Sequence, residues 1–111
     1  MNRSELFEYH KSICKEALEI MVQKNNDYAG ADGETPFANF ERTEAMGICS
    51  TEQSFLVRMT DKMSRLSTFV STGELKVANE GYKDTVSDLI NYLILFSAYV
   101  ESKENSNIGT R

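Results

Sequence analysis

Apolar positions recur at helical spacing in three long stretches of the chain. Over residues 5–24, Leu6, Tyr9, His10, Ile13, Cys14, Ala17, Leu18 and Met21 return at three- and four-residue steps, the stripe of an amphipathic helix. Asn2, with Glu5 three residues on, reads as its N-cap. A second stripe is Phe55, Leu56, Met59, Met63, Leu66 and Val70. Ser50 and Gln53 have the capping-box spacing ahead of it, and Gly73 is a stop behind it. A third helix is expected over residues 79–103, striped by Tyr82, Val86, Leu89, Ile90, Leu93, Phe96 and Val100. Residues 25–37 (NNDYAGADGETPF) hold two Gly, one Pro and short polar residues, and read as a loop. A short helix over 39–46, ended by Gly47, follows. No stretch alternates with the period of a strand. The expected fold class is all-α: a bundle of three long helices plus a short one.

The last helix changes character midway. From Leu93 onward Leu93, Ile94, Leu95, Phe96, Ala98, Tyr99 and Val100 leave hardly any polar face. A helix apolar all round asks to be covered all round, and a chain this short has trouble supplying the cover. A homo-oligomer using this half is expected. The tail, 104–111, is polar and expected to fray.

With 111 residues the chain is expected to form one domain, 1–111. Its net charge of −5 argues against a nucleic-acid polymer as partner, which needs a basic face to displace counterions, but leaves room for a small anion held by local cations. Cys14 and Cys49 match no metal spacing and read as reduced, mostly buried thiols. No apolar run approaches a membrane span, and the start of the chain is polar and acidic, unlike a signal peptide. No membrane partner and a cytoplasmic location are expected.

The candidate chemistry lies on the two later helices. Glu80, Asp84, Asp88 and Asn91 stand at steps of four, four and three, on one stripe. Such a stripe is either a solvated face or a pocket wall. Its continuation into Leu95 and Ala98 favours the wall, and stacked acids suit a hard divalent cation. Arg58, Asp61, Lys62 and Arg65 share a face of the preceding helix. Packed antiparallel, the two faces meet. Either they form interhelix ion pairs, Arg58 or Arg65 with Asp84 or Asp88, or they form a mixed site. In the mixed site acids hold Mg²⁺ while Arg and Lys contact phosphates, a composition suited to a nucleoside polyphosphate.

Lys24, Asn25, Asn26, Asp27 and Tyr28, then Phe37, Asn39 and Phe40, flank the expected loop. They are turn formers and core caps, or a nucleotide pocket in which Tyr28 or Phe40 stacks on a base and amides read its edge. His10, the only His, reads as a semi-buried packing residue. Without a nucleophile–base grouping or a Gly-rich phosphate loop, covalent catalysis has no support. Met21, Met46, Met59 and Met63 read as core fillers.

Taken in order, Lys24-Asn25-Asn26-Asp27-Tyr28, Pro36-Phe37-Ala38-Asn39-Phe40, Arg58-x-x-Asp61-Lys62-x-x-Arg65 and Glu80-x-x-x-Asp84-Thr85-x-x-Asp88-x-x-Asn91-Tyr92 resemble the nucleotide modification associated domains of phages and bacteria. That family is similar to the all-α nucleoside triphosphate pyrophosphatases of the MazG and dimeric dUTPase type. The resemblance implies Asp61, Glu80, Asp84 and Asp88 as metal-side acids, with Asp61, Asp84 and Asp88 catalytic. It implies Arg58, Lys62 and Arg65 on the phosphates, and Lys24, Asn25, Asp27, Tyr28, Asn39, Phe40, Asn91 and Tyr92 around the nucleotide. The Glu-x-x-Glu pair those enzymes carry on the first metal helix is replaced here by Arg58-Met59-Thr60-Asp61-Lys62. Fewer acids and more cations favour anion binding over metal-assisted hydrolysis.

Three expectations follow. The chain is a Mg²⁺-dependent pyrophosphohydrolase acting on deoxynucleotides, modified ones included. Alternatively it is a non-catalytic sponge for a nucleotide or a cyclic-nucleotide immune signal, or an assembly part whose charged faces are only ion pairs.

Overall fold

The computed structural model describes the backbone of residues 1–29, 35–73 and 81–109 and the side chains of residues 1–25, 35–73 and 81–105. The fold is all-α. Its helices are α1 (Arg3–Ala29), α2 (Ala38–Ala45), α3 (Thr51–Thr72) and α4 (Tyr82–Gly109). Among the described residues there is no strand, and no helix is long and apolar enough to cross a membrane.

Local sequence sets most helix ends. Asn2 Oδ1 accepts from the backbone N–H of Glu5 at 2.8 Å and opens α1. Ser50 and Gln53 form both arms of a capping box at 2.9 and 3.0 Å and open α3. Gly73 closes α3 at φ 79, in the left-handed region that costs Gly nothing. Gly47, at φ 76, turns the chain after α2.

α3 and α4 run antiparallel, as their contacts show. Lys103 meets Glu52 at one end, Phe55 packs against Phe96 and Tyr99, Lys62 meets Asp88, and Phe69 stacks on Tyr82 at the other end. α2 lies across this pair. Its Phe40 stacks on Phe55 with centroids 4.0 Å apart, and Met59 and Tyr99 complete the buried core. Phe55 is fully buried at the centre, so its truncation to Ala is expected to cost about 3–5 kcal/mol. α1 leans on α4, burying Ile13 and Ala17, and the Ala17 carbonyl accepts from Asn91 Nδ2 at 2.9 Å.

Several expectations are corrected. α1 continues past Lys24 to Ala29, so residues 25–29 are helical rather than loop; no Gly or Pro stands before Gly30 to break it. α4 likewise continues past Lys103 to Gly109, and its first helical residue is Tyr82. The stripe on α1 is largely uncovered, because α4 is its main support: Leu6, Tyr9, His10, Cys14 and Leu18 are exposed. Cys14 is therefore no buried thiol and Cys49 is only half-buried; both are free. Of the methionines read as core fillers, Met59 is buried, Met21 half-buried, and Met46 and Met63 exposed.

Candidate functional site

Where the C-terminal half of α1 passes α2, the three longer helices and α2 leave a cleft of about 590 Å³. That is within the usual range for a small-molecule site. The C-terminal part of α1 carries Lys24 and Asn25 to its rim, while Met21 and Val22 give it an apolar wall. The segment ahead of α2 adds Pro36, α2 adds Asn39, Phe40 and Arg42, and α3 adds Arg58. α4 closes it with Asp88, Asn91, Tyr92 and Leu95.

Cations dominate the lining. Lys24, Arg42 and Arg58 face the cleft against one carboxylate, Asp88, and that carboxylate is already paired twice. Its Oδ1 lies 3.1 Å from Lys24 Nζ and its Oδ2 3.0 Å from Lys62 Nζ. Lys62 stands behind Asp88, outside the lining, with its side chain 13% exposed. The expected contact between the α3 cations and the α4 acids therefore forms between Lys62 and Asp88, while Arg58 is engaged by Asn39 and Phe40.

Arg58 is fixed by two contacts. Its Nη2 donates to the Asn39 carbonyl at 3.3 Å, and its Cζ lies 4.7 Å from the Phe40 ring centroid. Phe40 is 4% exposed and stacks on Phe55, so it backs the guanidinium instead of offering a free face to a base. Tyr92, edge-on to Phe40 with centroids 6.1 Å apart, is half-buried and supplies the aromatic wall. Arg42 is exposed on α2 and its side chain makes no hydrogen bond or ion pair among the described residues. Of the three cations in the lining it is the one without a partner among the described residues.

Asn91 is the buried polar group of the lining, 7% exposed. The Ala17 carbonyl can only accept, which fixes the amide: Nδ2 donates to it and Oδ1 is the remaining acceptor. Oδ1 has no hydrogen-bond partner among the described residues. An acceptor left so costs about 1–3 kcal/mol.

The other acids named from sequence are not gathered with Asp88. Asp61 is 61% exposed and pairs with Arg65 at 3.5 Å along α3. Asp84 is exposed and accepts from the backbone N–H of Gly81 at 3.0 Å, which fastens the start of α4. Glu80, and the side chains of Asp27 and Tyr28, lie outside the described residues. Among the described residues no three His, Cys, Asp or Glu are placed to hold a metal ion. Asp61, Asp84 and Asp88 as they stand do not fit Mg²⁺: one caps a helix, one is spread on the surface and one is held between two lysines.

Lys24, Asn25, Asn39, Phe40, Arg58, Asp88, Asn91 and Tyr92 thus converge on one cleft, and Asp61, Lys62, Arg65 and Asp84 lie outside its lining. Sequence reasoning missed Met21 and Val22 as lining, and missed Arg42. The signal for Arg42 was present: it is three residues after Asn39 on the same short helix, and so shares its face. No protein-family model, no curated protein and no solved structure matches this chain.

Proposed function

We propose that this chain is a binding protein for a small anionic, aromatic-bearing metabolite, with a nucleotide, linear or cyclic, as the best-fitting class. One observation carries the reading: a cleft of nucleotide size lined by Lys24, Arg42 and Arg58, whose single acid is already neutralised. Phosphate oxygens suit guanidinium groups, which offer fixed pairs of donors. The apolar wall of Met21, Val22 and Leu95, with the Tyr92 ring, suits a base. Asn25, Asn39 and Asn91 supply amides to its edge.

Capture is favoured over cleavage because two of the carboxylates that hydrolysis would enlist are committed elsewhere. Asp88 is paired to lysines and Asp84 to the first turn of α4. Calorimetry with a panel of mono-, di-, triphosphate and cyclic nucleotides, in EDTA, tests this. The expected outcome is saturable binding of at least one class, and recovery of that ligand intact after long incubation with Mg²⁺. Pyrophosphate release that depends on Mg²⁺ would instead establish the pyrophosphohydrolase implied by the resemblance. Heat signals absent across the whole panel would remove the nucleotide reading.

A further inference from the structure

Three buried side-chain oxygens have no hydrogen-bond partner among the described residues: Thr51 Oγ1, Thr85 Oγ1 and Asn91 Oδ1. Of these three residues only Asn91 lines the cleft. Its amide is also locked. An asparagine facing a ligand ordinarily serves either hydrogen-bonding pattern, because the amide turns over to present N–H or C=O. Here turning over would set Oδ1 against the Ala17 carbonyl, acceptor on acceptor, in place of the 2.9 Å bond from Nδ2. Nδ2 therefore stays on α1, and Oδ1, turned away from that carbonyl, is the polar atom Asn91 has left for a group seated in the cleft.

We propose that the cleft selects nucleotides whose base carries an exocyclic amino group, with Asn91 as the specificity-determining residue: its locked Oδ1 accepts an amino N–H. The inference rests on the cleft being a nucleotide site. Adenine, cytosine and guanine carry such groups. Their deaminated counterparts, hypoxanthine, uracil and xanthine, present a carbonyl oxygen at the same place. That oxygen would face Oδ1, two acceptors with no proton between them. The neighbours on α4 do not rescue it. About one turn to either side of Asn91 stand Asp88, whose carboxylate accepts from two lysines, and Leu95, which neither donates nor accepts.

The rest of the lining leaves this choice to Asn91. The apolar wall of Met21, Val22 and Leu95 holds an amino base and its oxo counterpart about equally, since an apolar surface discriminates poorly between near-isosteres. Lys24, Arg42 and Arg58 answer to the phosphates, which are the same in both members of such a pair. A buried acceptor met by an amino N–H in one complex and left unmet in the other corresponds to about thirtyfold in affinity.

Calorimetry on the full chain with three deamination pairs tests the proposal: adenine against hypoxanthine, cytosine against uracil, and guanine against xanthine, each as the 5′-triphosphate and as the 3′,5′-cyclic monophosphate. The tightest ligand is expected to carry an amino-bearing base, and its oxo counterpart to bind about thirtyfold more weakly. In Asn91→Ser, whose hydroxyl turns to donate or accept, the ratio within that pair is expected to fall to about threefold or less. A role confined to holding α1 would weaken both members alike and leave the ratio at its wild-type value, which would overturn the proposal. Because that variant can fail to fold, the wild type is also followed by NMR: the Asn91 side-chain carbonyl carbon is expected to shift with the amino member and stay in place with the oxo member. A carbonyl carbon unmoved by the amino member would overturn the proposal, as would an oxo base that binds as tightly as its amino partner. Both results leave the nucleotide reading of the cleft standing. Absence of binding by every nucleotide would remove that reading and this inference with it.

Discussion

Lys62 and Asp88, on opposite helices of the antiparallel pair, meet at 3.0 Å with both side chains mostly withdrawn from water. Lys24 reaches the same carboxylate from α1, so one acid ties three helices beside the cleft. This makes Asp88 a structural anchor and the neutralised member of a cationic lining.

That relationship predicts opposite effects on stability and on binding. Asp88→Asn leaves Lys62 half-buried without its counter-charge and is expected to cost about 1–3 kcal/mol in urea unfolding. The same change removes the one negative charge from the lining, so affinity for an anionic nucleotide is expected to rise. A metal-ligand role predicts the reverse for function, with Mg²⁺-dependent activity or binding lost.

Arg42 and Arg58 separate binding from folding. Arg42 is exposed with no partner among the described residues, so Arg42→Ala is expected to leave the thermal midpoint unchanged and weaken nucleotide binding about tenfold. Arg58 also packs over Phe40 and donates to the Asn39 carbonyl. Arg58→Ala is therefore expected to lower both affinity and stability, and Arg58→Lys to restore stability more than affinity. Calorimetry and thermal unfolding of the same samples check both.

Asn91 holds α1 to α4. Asn91→Asp keeps the shape but sets a carboxylate against the Ala17 carbonyl where an N–H stood, and is expected to cost about 2 kcal/mol or more. Hydrogen exchange should show the loss first in α1, which rests chiefly on α4.

The tie between Glu52 and Lys103 gives a pH signature. The backbone N–H at the start of α3, and then Lys103, hold the Glu52 carboxyl below its ordinary value of 4.5. A lowered carboxylate contributes stability above its ordinary value and loses it as pH falls through the folded one. Glu52 raises the Lys103 ammonium above its ordinary 10.5, so that contribution is present below 10.5 and fades as pH rises through the folded value. Both groups are well exposed, so the effect is small and screened by salt. Glu52→Gln is expected to unfold at a slightly lower temperature than wild type at neutral pH, with the difference vanishing in acid.

What the sequence disclosed follows the range of the forces involved. Caps and stops act within a few residues, so Asn2, Ser50 with Gln53, Gly47 and Gly73 marked helix ends correctly. Periodicity placed α3 and α4 and brought Arg58, Asp88, Asn91 and Tyr92 to one region. The end of α1 was misplaced because Asn and Asp favour turns only weakly, and tertiary support at Lys24 and Met21 outweighs that preference. Which acids are free is set by geometry across helices. Spacing alone does not show that Asp84 turns back to Gly81 or that Asp88 meets two lysines. Phe40 shows the same limit, since its neighbours Phe55 and Arg58 come from another helix.

The most direct test of the central claim is an amide and side-chain NMR titration of isotope-labelled protein with the tightest nucleotide of the panel. The cleft account predicts saturable shifts clustered on Asn25, Asn39, Arg42, Arg58, Asn91 and Tyr92, and none on Leu56, Met63 or Val70. Shifts spread over the outer faces of α3 and α4, or none at saturating ligand, would contradict it.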